Sequence, residues 1–183
     1  MERGKMKSEK GKRKKERGKR EKGRGLSSVS LFFIFYLSFF IFVACDGSVF
    51  YDESRRVDEH GWLPEESVDF DVTVDDTNRV FNFLVEVRNS ISYPYSNTFL
   101  FIRTTFPDGS MAQDTLEYPL ADPSGRWYGK RTGRYVDTRY YFRRNARFPM
   151  EGTYRFSFSN GMRDSAIAGL RDIGFRIEYS NMK

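Results

Sequence analysis

The chain has 183 residues, a length for one domain with an appendage, and a formal charge of +6. That charge is local: residues 1–25 carry 13 Lys/Arg and 4 Asp/Glu, whereas residues 46–183 carry 18 Lys/Arg against 21 Asp/Glu, a net of −3. The folded part has no footprint for a nucleic acid partner, and one cysteine excludes an internal disulfide and a thiolate zinc cluster.

Residues 1–25 hold five Gly and no aromatic residue, a composition that cannot bury apolar surface and predicts disorder. Three origins fit: an overlong n-region of a signal peptide, upstream sequence read from a wrong start codon, or a basic arm for nucleic acid or anionic lipid. Residues 26–44 then run for 19 positions without a charge, and the only cysteine follows as Cys45. Basic residues ahead of an apolar run keep the amino end in the cytoplasm and send the rest across the membrane.

As a helix the run would span roughly 28 Å, so a retained signal anchor is one reading. The other is a cleaved signal. Phe42-Val43-Ala44-Cys45 resembles the bacterial lipobox, with Phe42 standing where Leu is usual. We adopt the second: residues 1–44 are a signal peptide, and Cys45 is the lipid-attachment residue. More than one acyl chain then holds the protein to a membrane on its non-cytoplasmic side.

Residues 45–66 are read as the lipidated cysteine, a tether and a first edge strand around Val49, Phe50 and Tyr51; residues 67–183 form the main domain. Residues 68–74 alternate apolar and polar without a fault, the mark of a half-buried strand. Residues 80–88 form a second strand with Phe81, Phe83, Val85 and Val87 on one face, and residues 89–97 a loop. Residues 98–106 are apolar at their start, which predicts a central strand. Pro107-Asp108-Gly109 is a hairpin turn, and residues 111–118 return as its partner.

A Gly-rich connection follows over 121–133, with room for one short strand. Residues 136–143, 153–159 and 173–179 are strands, and residues 161–172 are the one candidate helix, or else a loop. Seven or eight strands spaced by turns predict an all-β fold, an antiparallel β-sandwich. The order of elements does not alternate as a Rossmann or TIM fold requires.

No residue set converges on catalysis, and neither a metal nor a cofactor is expected. His60 is the only histidine and reads as a loop residue. The stretch Gly125-Arg126-Trp127-Tyr128-Gly129-Lys130-Arg131-Thr132 fails as a phosphate loop on spacing, and it precedes a strand rather than a helix. Asp69 and Asp71 share the solvated face of a strand, and Asp75 with Asp76 are too few ligands for calcium. Trp127, Tyr128 and Tyr135 are the candidate aromatic surface for sugar rings, with core or interface packing as the alternative. Arg143, Arg144 and Arg147 read as a solvated strand end.

Several stretches together resemble the GldH family of gliding-motility lipoproteins from Bacteroidota. They are Tyr95-Ser96-Asn97-Thr98-Phe99-Leu100, Phe106-Pro107-Asp108-Gly109, Asp114-Thr115-Leu116-Glu117-Tyr118, and Ala121-Asp122-Pro123-Ser124-Gly125. The set is completed by Arg147-Phe148-Pro149-Met150-Glu151-Gly152-Thr153-Tyr154 and Asp172-Ile173-Gly174-Phe175-Arg176-Ile177-Glu178, with Cys45-Asp46 ahead of them all. The resemblance covers nearly all of 45–183 and leaves the basic leader outside it. It implies an acylated envelope protein without enzymatic activity. Such a protein is an accessory or assembly component of the gliding apparatus and its linked secretion machinery, with other envelope proteins as partners. The alternative reading is a surface lipoprotein that captures glycans.

Overall fold

The computed structural model describes residues 48–180; the leader, the apolar run and Cys45 lie outside the described residues. Nine strands follow one another: β1 (Val49–Arg56), β2 (Ser67–Val74), β3 (Phe81–Ser90), β4 (Asn97–Thr105), β5 (Met111–Pro119), β6 (Lys130–Thr132), β7 (Tyr135–Ala146), β8 (Gly152–Asn160) and β9 (Leu170–Tyr179). They make two antiparallel sheets, ordered β1-β9-β3-β7-β6 and β2-β8-β4-β5, packed as a sandwich.

Period-two alternation decides which face each strand buries. β2 turns Phe70, Val72 and Val74 inward and leaves Asp69, Asp71 and Thr73 in solvent. β3 buries Phe81, Phe83, Val85 and Val87. β4 is central, between β8 and β5, and buries Thr98, Leu100 and Ile102. β8 supplies Tyr154, Phe156 and Phe158, and β9 supplies Ile173, Phe175 and Ile177.

Phe175 is where the two layers interlock. Its ring lies 4.6 Å from Phe156, 5.3 Å from Phe158 and 5.8 Å from Phe70, all on the smaller sheet. On its own sheet it meets Phe83 at 6.3 Å and Tyr51 at 6.1 Å. These tilted geometries suit the ring quadrupoles and add to the area buried.

The pairing registers sort the connections into two ends. Connections 75–80, 106–110 and 147–151 gather at the end where β1 starts. Connections 57–66, 91–96, 120–129, 133–134 and 161–169 gather at the opposite end. At the first end, the hairpin expected from Pro107-Asp108-Gly109 is present. Gly109 has φ 83°, its N–H donates to the Phe106 carbonyl at 2.9 Å, and Asp108 accepts from Ser110 N–H at 2.9 Å. Gly152, at φ 123°, packs so tightly that a Cβ there would come within 2.7 Å of the Pro107 side chain.

Of the helix and the loop left open for residues 161–172, the structure has the loop as far as Gly169, and the expected bounds of one other loop are corrected. Residues 161–172 contain no helix. Instead Trp62 and Ile167 exchange backbone hydrogen bonds at 3.0 Å in both directions, and β9 already begins at Leu170. Gly169 sits at φ 92°, outside the helical region, and the pairing of Ile167 with Trp62 takes the segment instead. The loop expected over 89–97 is shorter, because β3 runs on to Ser90.

β7 outlasts its edge partner, since β6 pairs only with Tyr135, Val136 and Asp137. Register shifts against β3 around Phe83 then kink its tail, where Asn145 adopts φ 51° and its N–H donates to Asn82 at 3.0 Å.

Phe175→Ala should cost about 3–5 kcal/mol in urea unfolding of the purified protein, by loss of burial and a cavity between the sheets. Met111→Ala, at a residue 69% exposed, should leave the unfolding midpoint where it is.

Candidate functional site

Tyr135, Trp127 and Tyr128 lie toward the opposite end of the sandwich, each in different surroundings. Tyr135 opens β7 with the Arg171 guanidinium 4.3 Å and the Arg134 guanidinium 5.1 Å from its ring centre. Its hydroxyl donates to the Glu59 carboxylate at 3.0 and 3.2 Å, and Arg134 Nη2 donates to the same group at 2.8 Å. Burial works against the Glu59 charge, but the Tyr135 and Arg134 hydrogen bonds outweigh it and hold the carboxyl below its ordinary range. The Glu59 carbonyl also accepts from Gly169 N–H at 2.8 Å. Tyr135 is thus a clamp between the 57–66 connection, β7 and the approach to β9.

Trp127 is half-buried against the core and bridges to Ala121, whereas Tyr128 is 54% exposed. The turn before them is held by one carboxylate. Asp122 accepts from the Ser124 hydroxyl at 2.6 Å and from the Ser124 and Arg126 N–H groups at 2.9 Å each, and Arg126 Nε reaches it at 3.1 Å. These bonds, the Ser124 hydroxyl first, lower the Asp122 pKa to about 2. Gly129 follows, where a Cβ would stand 2.3 Å from the Asp137 carbonyl oxygen, so only glycine fits. The Gly-rich stretch is a turn and a close backbone approach leading into β6.

The outer face of the larger sheet carries an open hollow of 440 Å³ lined by Ser54, Glu86, Arg88, Lys130, Asp137 and Asp172, among others. It exists because Gly174 has no side chain and Ser54 a short one; a Cβ at 174 would already stand 3.0 Å from that of Glu86. Around it, register sets charges opposite one another. Arg88 grips Asp137 through Nε at 2.5 Å and Nη2 at 3.1 Å, and lies 3.6 Å from Asp172. The Asp137 hydrogen bond raises the Arg88 pKa. Arg139 meets Glu86 at 2.5 Å, and Arg176 binds Glu178 at 2.6 Å and also Asp52. Apart from Lys130, the charged groups named around the hollow are matched by their own neighbours.

The remaining sequence candidates have ordinary surroundings. His60 is exposed in the 57–66 connection, its N–H donating to Asp58 at 2.8 Å. Asp71 takes a two-pronged grip from Arg155 at 2.8 and 3.0 Å, which lowers its pKa. Asp76 caps its own turn by accepting from Asn78 N–H at 2.9 Å and pairs with Arg79 at 3.1 Å. Arg144 stacks 3.8 Å above Tyr141, and Arg143 lies 3.5 Å from Asp114. Among the described residues, no group of three or more His, Cys, Asp or Glu could hold a metal ion. Cys45 lies outside the described residues.

The depressed Asp122 pKa carries a definite sign. The turn's contribution is complete above the ordinary carboxylate value and is lost as pH falls through the folded value. The Ser124 and Arg126 amide shifts, followed by NMR, should therefore titrate with a midpoint of about 2 rather than near the ordinary aspartate value of 3.8.

Residues 49–177 match the family described as GldH lipoprotein. The chain is 33% identical over 156 residues to a gliding motility lipoprotein GldH homolog of Christiangramia forsetii, covering 81% of this chain and 95% of that relative. It is 30% identical over 155 residues to gliding motility lipoprotein GldH of Flavobacterium johnsoniae, covering 81% and 96%. Among solved structures, an arabinose-bound GH51 α-L-arabinofuranosidase aligns with TM-score 0.36 and 12% identity over 70% of this chain and 19% of that one.

Proposed function

Since the chain belongs to the GldH lipoprotein family, we propose that it is a gliding-motility lipoprotein of the cell envelope, held to a membrane by acyl chains on Cys45. Its sandwich acts without enzymatic chemistry, as an assembly component that docks to other envelope proteins of the gliding and secretion machinery. One observation carries this reading. The family match runs through the whole sandwich, and the curated relatives are covered over 95% and 96% of their own length, so it is not a shared fragment. The geometry is in keeping with it. The Tyr135 clamp and the cross-strand ion pairs are framework devices that hold a fixed surface.

A strain carrying Cys45→Ala should lose fatty-acid labelling of the protein, and a clean deletion should abolish surface spreading and impair the linked secretion. Unchanged labelling would rule out the anchor; intact spreading and secretion in the deletion strain would rule out the role.

A further inference from the structure

The anchor reading, taken with the strand registers, says which way up the sandwich stands. Val49, the first residue of β1, is four residues after Cys45. Four fully extended residues reach at most about 14 Å. Val49 pairs with Glu178, and Phe81 with Tyr179, so β1 starts at the end formed by connections 75–80, 106–110 and 147–151. The ten residues of β3 separate that end from the opposite one by roughly 30 Å at the strand rise. A tether this short reaches one end and cannot reach the other.

We propose that the end carrying connections 75–80, 106–110 and 147–151 rests against the phospholipid headgroups, and that the opposite end, with Tyr128 and connections 91–96 and 161–169, faces away from the membrane. The chemistry of the first end suits a zwitterionic layer. Exposed Met111, Pro107 and Pro149 stand beside Arg144 and Arg147, which have no acidic partner among the described residues, and beside exposed Asp75 and Glu151. Lying on the β1 edge is the competing posture, and it would press Asp52, Glu53, Arg55 and Arg56 onto the bilayer. The proposal rests on attachment at Cys45, and it holds equally if the apolar run is retained as a membrane anchor, because the tether length is the same.

The test uses the full chain, matured in cells and reconstituted into vesicles of phosphatidylethanolamine and phosphatidylglycerol containing a headgroup-attached nitroxide quencher. Single fluorophores are placed through Asp108→Cys or Glu151→Cys at the first end, and through Tyr128→Cys or Ser165→Cys at the opposite end. The first pair should lose most of their emission and the second pair should keep theirs. About twenty Gly/Ser residues inserted between Gly47 and Ser48 add roughly 25 Å of reach and should restore the emission of the first pair. Equal quenching at both ends, stronger quenching at the opposite end, or indifference to the insertion overturns the proposal. Failure of the protein to float with the vesicles instead overturns the anchor, and vesicle flotation is scored before any fluorescence is read.

Discussion

Phe175 and the rings around it are what make two sheets into one body. Six of the eight connections pass from one sheet to the other; only β4–β5 and β6–β7 are hairpins within a sheet. Neither sheet can therefore assemble as a local meander, and apart from these two hairpins each strand pairing joins strands that are not consecutive in the chain. The burial shared by Phe70, Phe83, Phe156, Phe158 and Phe175 offsets the entropy that such pairings cost. The outer faces, by contrast, carry exposed ion pairs that contribute little each. Their order still matters, since Arg88 opposite Asp137 and Arg139 opposite Glu86 are satisfied in one register only.

The strands that bury a clean alternate face were legible in the sequence. β2, β3, β8 and β9 show period two, and Asp108-Gly109 marks its turn because φ above zero favours glycine. What escaped depends on partners distant in the chain. The last five residues of β1 are Asp52, Glu53, Ser54, Arg55 and Arg56, all exposed, so no hydrophobic pattern betrays them; β9 makes them a strand. Trp62 lies in the 57–66 connection, outside any stretch that alternates as a strand. It is 1% exposed because Ile167, 105 positions later, pairs with it.

The site residues were legible to the same degree. Tyr135 was singled out with Trp127 and Tyr128 as an aromatic surface, with core or interface packing as the alternative. Its faces, though, are met by Arg134 and Arg171 and its hydroxyl by Glu59, contacts made across 36 and 76 positions that no local pattern reveals. Tyr128 is the one of the three that stays open to solvent. The hollow beside Arg88 was invisible for a different reason: it is a shape left by the missing side chain of Gly174, and sequence records a glycine without recording what surrounds it.

Copies tethered to one bilayer collide far more often than copies in solution, and an orderly strand border would let them zip into ribbons. Past Asp137, the border of β7 has lost β6, yet its spacing is broken by the shifted register and by the left-handed turn at Asn145. Arg144, and Arg147 just past the end of β7, have no acidic partner among the described residues, so an identical border from another copy is repelled as well as mismatched. That border is therefore closed to strand addition by another copy, however densely the domain is packed.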